Sequence, residues 1–314
     1  MQYHDYARWQ HATCRRGDEF VGWEFWRDYL ADLPEVHALP LDAPRPAEQT
    51  HRGAVVHTHV PGPIAKRLSA LGQAQGATLF ITLHAAFSLL LSRCSGEADI
   101  VIGTPIAGRD GHEVESLIGC FVNTLVLRAR VDGDRSFEGF LQQCRGELLD
   151  AYQHQHVPFE YLVEALKPNR SLQHNPLFQI MFALHNQERT SFALDGAQFT
   201  RLKQDSGTSK FDLSLDAIEG KDGIELIWRY ATDLFREESV RRMGEAFQTL
   251  LASIVEAPGR PMRELSLLSP AVRRELLDFA ALPDVAASLP AHLGDAFARI
   301  VRSHPDRPAL VEGG

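Results

Sequence analysis

The alternation of apolar and polar positions predicts strands and helices in turn. Residues 55–60 alternate with a period of two, as in a strand, and residues 64–74 carry an apolar stripe of helical spacing. Residues 79–94 are apolar nearly all round, so they are predicted to form a central helix that Thr78 caps. A strand over residues 99–102 follows, and this order of elements is typical of an α/β fold.

The second half of the chain continues the pattern. Residues 211–217 and 224–230 both alternate, and Gly220-Lys221-Asp222-Gly223 lies between them, so a β-hairpin is predicted there. Apolar runs and stripes further predict a strand over 177–184 and helices over 20–30, 136–152, 159–166, 240–254 and 271–279.

Three short apolar runs lie within residues 100–128, at 100–102, 117–122 and 125–127. Short runs bounded by Gly, Pro and charged residues are typical of strands buried on both faces. Asn123 interrupts the last two runs, and a buried amide requires either a protein partner or a ligand. Both roles stay open for Asn123 at this point.

Composition narrows the class of protein. The 314 residues can bury a large core in one domain or two, and the net charge of −9 disfavours nonspecific binding to nucleic acid or to an anionic membrane. The longest apolar stretch is too short to span a bilayer, and the first ten residues do not resemble a signal peptide. The four cysteines are widely spaced, and three of them lie in apolar runs and are expected to be free, buried thiols, which fits a reducing cytoplasm.

Residue chemistry alone does not identify a reaction. The sequence has no Gly-x-Ser-x-Gly motif, no phosphate-binding Gly-Lys-Ser/Thr loop and no set of metal ligands at usable spacing. His57 and His59 lie on one face of the first strand, but a polar strand face is favoured over a metal site because no third ligand is near. The other candidate histidines are expected to be structural or solvated: His84, His154, His156 and His174.

Several motifs in order resemble the condensation domain of nonribosomal peptide synthetases. The resemblance is carried first by Gly103-Thr104-Pro105-Ile106-Ala107-Gly108-Arg109 followed by Ile118-Gly119-x-Phe121-Val122-Asn123-Thr124. Similar blocks stand at residues 3–10, 154–160, 170–179 and 210–215, with His156, Ser171 and Gln173 departing from the usual residues. Residues 291–314 resemble the beginning of an adenylation domain.

The resemblance implies an α/β fold that is similar to one lobe of chloramphenicol acetyltransferase, with a mixed β-sheet flanked by helices and a C-terminal linker. The domains expected from it are a C-terminal condensation lobe at 1–257, a linker at 258–290 and the start of an adenylation domain at 291–314. In the family, two lobes enclose a tunnel. An amine on one carrier protein attacks a thioester on another, and an amide bond forms.

The family's catalytic motif, His-His-x-x-x-Asp-Gly, is absent, since the sequence contains no adjacent pair of histidines. The resemblance therefore implies a lobe with no catalytic residue of its own, inactive without the N-terminal lobe, and presenting an open apolar wall to it. Asn123 and Arg109 are the predicted substrate-binding residues of the tunnel.

Expected partners are the missing lobe, donor and acceptor peptidyl carrier proteins and an adjacent adenylation domain, with neither nucleic acid nor membrane among them. The 4′-phosphopantetheine is expected on the carriers, with no cofactor or metal bound directly. A noncatalytic carrier-docking or scaffold module is the alternative function. An epimerisation domain ranks lower, and an acyl-CoA acyltransferase lower still.

Overall fold

The computed structural model describes residues 2–13, 15–16, 19–109, 112–169, 171–185, 206–280 and 292–305. Part of the Gly108–Gly111 loop, part of the predicted linker and the end of the predicted adenylation segment lie outside the described residues. The chain divides into two compact units, residues 1–267 and residues 268–314.

The first unit contains eight α-helices and eight strands within the described residues. The helices are α1 (Tyr3–Thr13), α2 (Trp23–Tyr29), α3 (Gly62–Ala74), α4 (Leu79–Ser95), α5 (His112–Glu115), α6 (Phe137–Gln153), α7 (Phe159–Leu166) and α8 (Glu237–Glu256). The strands are β1 (Arg15–Arg16), β2 (Glu19–Phe20), β3 (Gly53–Pro61), β4 (Asp99–Ile106), β5 (Asn123–Arg130), β6 (Ile180–His185), β7 (Leu213–Gly220) and β8 (Gly223–Ala231).

A mixed six-stranded sheet in the order β3-β8-β7-β6-β4-β5 organises this unit. Strand β6 runs parallel to both β4 and β7, whereas the pairs β3–β8, β7–β8 and β4–β5 are antiparallel. The predicted mixed sheet flanked by helices is confirmed. The predicted hairpin is also confirmed, with Gly220 opposite Gly223 at its turn.

Helices α3, α4, α6 and α8 pack together on one face of the sheet. Helix α4 is central, because every residue from Ile81 to Leu91 is buried. Phe87 of this helix contacts Phe182 of β6, Trp228 of β8 and Phe247 of α8. Among the described helices none alone has the length and apolarity to cross a membrane, although α3 and α4, bent by 104° at their junction, pass such a test as a pair.

Local sequence signals explain the helix starts. The Thr78 hydroxyl accepts a hydrogen bond from the Ile81 amide at 3.3 Å, and the Ser136 hydroxyl accepts one from the Gly139 amide at 3.2 Å. Each bond satisfies one of the amides that a first helical turn leaves without a partner. The predicted cap at Thr78 is therefore confirmed, and Ser136 caps α6 in the same way.

The prediction of a buried strand at residues 117–122 is wrong. This segment is irregular, and Ile118 and Val122 are 97% and 63% exposed. The physical reason is the pairing of β4 with β5, which places Ile106 opposite Asn123. Residues 107–122 must then connect two adjacent antiparallel strands and cannot pair in the sheet.

The predicted linker at 258–290 differs from the observed packing at its beginning. Residues 258–267 belong to the first unit, in which Met262 and Leu265 are buried and Arg93 donates hydrogen bonds to both of their carbonyl oxygens. The second unit contains α9 (Pro270–Ala280) and α10 (Leu293–Ser303). Helix α9 confirms the helix predicted over 271–279.

Candidate functional site

The candidate site lies where strands β4 and β6 end. The two strands are parallel, with Gly103 opposite Met181, so their carboxyl ends lie at the same edge of the sheet. Open α/β sheets bind ligands outside the carboxyl ends of their strands. Three elements begin or end at this edge, namely the loop that carries Arg109, β5 at Asn123 and β6 at His185. We call these three residues and the loop at 107–109 the carboxyl edge.

Arg109 holds the connection between β4 and β5. Its Nη1 atom donates hydrogen bonds to the carbonyl oxygens of Glu115 at 3.2 Å and Leu117 at 2.9 Å, and its guanidinium carbon lies 4.3 Å from the centre of the Phe121 ring. A cation at the end of a short helix, stacked on an aromatic face, stabilises that connection. Its predicted role in substrate binding stays a prediction.

The loop around Phe121 is also held by α1. The Tyr3 hydroxyl donates a hydrogen bond to the Cys120 carbonyl oxygen at 2.9 Å, and the rings of Tyr3 and Tyr6 lie 5.1 and 4.7 Å from that of Phe121. Gly108 has a φ of 62°, and a Cβ atom there would lie 1.9 Å from the Phe121 carbonyl oxygen. The loop therefore requires glycine at position 108.

Asn123 joins two of the sequence motifs. Its Nδ2 atom donates to the carbonyl oxygens of Gln155 and Val157, both at 2.9 Å. Its Oδ1 atom accepts from the amides of Thr124 at 2.8 Å and Phe159 at 3.0 Å. A side-chain amide can make two donor and two acceptor bonds, and the backbone takes all four. The geometry thus favours a positioning role, and the predicted contact with substrate stays a prediction.

Replacing Asn123 with aspartate should lower the free energy of unfolding by roughly 1–3 kcal/mol, because a carboxylate oxygen would face two carbonyl oxygens and leave both without a donor. Chemical denaturation of the two proteins measures this difference. Gln155→Ala is the matched control, since the hydrogen bond from Asn123 uses only the backbone carbonyl of Gln155. Unchanged stability in Asn123→Asp, with slowed condensation, would instead support the predicted contact with substrate.

The sheet face opposite the main helical layer is polar where it crosses strands β3, β8, β7 and β6. The register places His57 and His59 of β3 beside Ile227 and Glu225 of β8, and these beside Asp216 and Ile218 of β7. Ile218 in turn lies opposite His185 of β6. We call this surface the open face; its main polar members are His57, His59, Glu225, Arg229, Asp216 and His185. The sequence predicted an apolar wall, and on this surface apolar residues such as Ile227 and Ile218 lie among the polar ones.

Two imidazole–carboxylate pairs cross the open face. His185 Nε2 lies 2.9 Å from Asp216 Oδ1, and His57 Nδ1 lies 3.3 Å from Glu225 Oε1. Both pairs are partly exposed, with His185 at 47% and Asp216 at 30% exposure of the side chain. An imidazole oriented by a carboxylate is a geometry that general bases use. The sequence analysis did not identify His185 as a candidate residue. His185 lies near Asp216 only because β6 and β7 pair in parallel, and the sequence alone does not show that pairing.

A second cluster lies at the other end of the sheet. Arg45 Nη2 donates to Asp212 Oδ2 at 2.6 Å, and His37 Nε2 lies 3.0 Å from the same oxygen. His37 Nδ1 accepts the Leu39 amide at 3.2 Å, and Nε2 donates the hydrogen bond to Asp212. Both ring nitrogens are occupied, and His37 has no free lone pair for general-base chemistry.

A cavity of about 180 Å³ lies next to this cluster, between residues 34–39, the end of α4, the start of β4 and residues 177–180. Its lining is mostly apolar, with Leu39, Ile100 and Phe178 among the side chains. The polar atoms of Gln179 are used internally, because Nε2 donates to Glu35 and Asn175 carbonyls and Oε1 accepts the His37 amide. The cavity wall therefore offers mainly apolar packing, although the ionisable residues His37, Glu97 and Asp99 also line it.

The remaining candidate histidines have structural surroundings or lie in solvent. His84 is buried in α4, His154 stacks on Phe25 with ring centres 4.4 Å apart, and His174 is buried beside the Asn175 carbonyl oxygen. His156 is exposed. Within the described part of the chain no group of three or more His, Cys, Asp or Glu side chains could hold a metal ion.

The family model and the similar proteins all indicate the same family. The family model described as "Condensation domain" matches residues 1–277. Malpinin synthetase of Mortierella alpina is 38% identical over 312 residues, which are 99% of this chain and 4% of that protein. Bacitracin synthase 1 of Bacillus licheniformis is 33% identical over 315 residues, 100% of this chain and 6% of that protein. The chain thus spans a small part of these relatives.

Solved structures share the fold. The four-domain nonribosomal peptide synthetase holo-AB3403, bound to AMP and glycine, superposes with a TM-score of 0.77 and 28% identity, covering 85% of this chain and 21% of that chain. The X-domain from teicoplanin biosynthesis, in complex with OxyB, superposes with a TM-score of 0.76 and 26% identity, covering 86% of this chain and 61% of that chain.

Proposed function

Since the chain belongs to the condensation-domain family of nonribosomal peptide synthetases, we propose that it takes part in forming an amide bond between two carrier-bound substrates. The donor is an acyl or peptidyl thioester, and the acceptor is an aminoacyl amine. The observation that carries the proposal is the family match over residues 1–277 together with the polar open face beside the carboxyl edge. Donor and acceptor carrier proteins and an adjacent adenylation domain are the partners in this proposal, and the cytoplasm is the compartment.

In this proposal the chain forms one of the two lobes that enclose the tunnel. The sequence lacks the His-His-x-x-x-Asp-Gly motif. We therefore assign that motif's histidine to a second, N-terminal condensation lobe, without which the chain is inactive. Holding two reactants in position lowers the reaction barrier substantially. Both lobes that enclose the tunnel are needed to hold them.

The substrates would arrive on 4′-phosphopantetheine arms of the carrier proteins. Such an arm has two amide groups that need hydrogen-bond partners in a chamber that excludes water. The open face fits this requirement, because its side chains include the donor Arg229 and the acceptors Asp216 and Glu225. The arm supplies the thioester, and this chain's residues would orient it.

A reconstitution experiment tests the proposed function. The chain is mixed with a donor carrier and an acceptor carrier, each loaded with its substrate, and the amide product is measured by mass spectrometry. We expect product only when an N-terminal condensation lobe is added. Condensation by the chain alone at the rate of a complete domain would refute the requirement for a second lobe.

The alternative function is a noncatalytic docking or scaffold module, and the X-domain supports it, because that similar fold was captured in complex with OxyB. A pull-down with loaded carrier protein, with and without the N-terminal lobe, separates the two functions. Carrier binding by the chain alone, combined with no amide product when the second lobe is present, would favour docking.

A further inference from the structure

We propose that His185, oriented by Asp216, accepts the proton that the acceptor's ammonium group must lose before it attacks the thioester. This inference rests on the proposed function and adds a residue to it. It concerns the open face, at the end of β6, and it gives the chain one group that touches the reacting amine.

The geometry of the pair supports this role. His185 Nε2 lies 2.9 Å from Asp216 Oδ1, and because a carboxylate oxygen accepts, Nε2 is the atom that donates. The Nδ1 lone pair then points away from the carboxylate, and within the described residues it has no hydrogen-bond partner. The ring is 47% exposed, so a substrate can reach it.

The position of the pair supports the role as well. His185 is the last residue of β6, and β6 runs parallel to β4, so the imidazole lies at the carboxyl edge. The register places the apolar side chain of Ile218 beside His185, and Ala183 beside Asp216. The other ionisable side chains of the open face are His57, His59, Glu225 and Arg229 on β3 and β8, beyond β7.

The proton transfer balances without any further reactant. The acceptor enters as an ammonium ion, and the N–H bond breaks as the proton moves to His185 Nδ1. The neutral amine then attacks the thioester carbon, a C–N bond forms and the C–S bond breaks. The departing sulfur takes the second proton from the new amide nitrogen, and the imidazolium returns its proton to water.

The other histidines discussed above lack this combination of features. His37 has both ring nitrogens occupied, and His84 is buried within α4. His57 has a looser contact with its carboxylate, at 3.3 Å. The matched control is His4 of α1, whose Nε2 atom lies 2.9 Å from Asp5 Oδ1 and which does not belong to the open face.

The test compares two acceptors in the assembly of this chain with the N-terminal lobe and loaded carriers. One acceptor carries an α-amine, and the other a hydrazide, whose terminal nitrogen is unprotonated at neutral pH. We expect His185→Ala to slow condensation of the amine on the order of 10²-fold and to leave the hydrazide rate unchanged. Added imidazole should restore the amine rate, and His4→Ala should affect neither acceptor.

The rates measured with the two acceptors either support or overturn the role of His185. Equal slowing of both acceptors would indicate a structural loss at position 185 and overturn the proposal, as would an unchanged amine rate or a failure of imidazole to rescue. If the unmodified assembly joins neither acceptor, the proposed function itself fails, and the inference fails with it. An active unmodified assembly with an unaffected variant overturns only the role of His185.

Discussion

Replacing Asp212 with alanine should lower the free energy of unfolding by roughly 3–5 kcal/mol, the cost of leaving a buried charge without its partner. The Asp212 side chain is 1% exposed, and Arg45, which donates to it at 2.6 Å, is 14% exposed. Removing the carboxylate leaves the guanidinium of Arg45 buried without a counter-ion. Denaturation by urea at neutral pH measures the loss.

The effect is large because this carboxylate joins two distant parts of the chain. Burial alone would raise the pKa of Asp212, but hydrogen bonds from His37 and Arg45, together with the positive charge of Arg45, outweigh burial and hold that pKa below its usual value. The carboxylate stands just before β7, whereas His37 and Arg45 lie in the segment between α2 and β3. Its loss should therefore release that segment from the sheet.

A matched control is available within β7 itself, the strand that follows Asp212. Asp216 is also a carboxylate paired with a histidine, but the side chain is 30% exposed, so Asp216→Ala should cost less than about 1 kcal/mol. Comparable losses in the two variants would contradict the assignment of the large effect to burial. Asp212→Asn keeps the shape and should fall between them.

The sequence predicted those elements whose signal is local. Helix α4 begins where Thr78 predicts it, and the hairpin of β7 and β8 turns where Gly220 and Gly223 predict it. Capping and turn chemistry act over a few residues, so a single sequence contains the information. The fold class followed from these elements and from the resemblance.

Prediction from the sequence failed where the structure of a segment depends on which strands pair in the sheet. Residues 117–122 are apolar enough for a strand, yet the antiparallel pairing of β4 with β5 makes them a connection. Asn123 was correctly recognised as an amide that needs partners, but the partners come from residues 155–159, more than thirty positions away. No periodicity within one segment predicts such a contact.

The candidate site was the least predictable part. His37 and Asp212 are separated by 175 positions, and His185 and Asp216 by 31. In each pair, a strand register or a long connection brings the two side chains together. The motifs of the resemblance largely proved to hold the fold, as Gln179 and Asn123 do, which explains why they did not identify an acid–base group.

Acidification should destabilise the protein through His84, the second large effect that the structure predicts. Burial alone lowers the pKa of His84 from 6.5 to about 4, because a charged imidazole would be removed from water inside α4. The ring lies between Phe80 and Phe182, with centres 6.1 and 6.2 Å away, and its Nε2 atom has no hydrogen-bond partner within the described residues.

The sign of the effect follows from proton linkage. Above pH 6.5 the ring is neutral in both states, and His84 costs nothing through titration. Between pH 6.5 and about 4 the unfolded chain binds a proton that the folded protein excludes, so stability falls as the pH falls. Each pH unit costs about 1.4 kcal/mol, and the whole window costs about 3 kcal/mol.

His84→Leu should remove this contribution. The free energy of unfolding of the variant minus that of the unmodified protein should therefore be about 3 kcal/mol larger at pH 4 than at pH 7. Urea denaturation across this pH range measures the difference. Ser88→Ala is the control, because Ser88 is the next buried polar side chain along α4, is also without a hydrogen-bond partner among the described residues, and does not titrate. That variant should shift stability equally at every pH. A parallel pH dependence in His84→Leu and the unmodified protein would show that His84 accepts a proton in the folded state, contrary to its burial among Phe80 and Phe182.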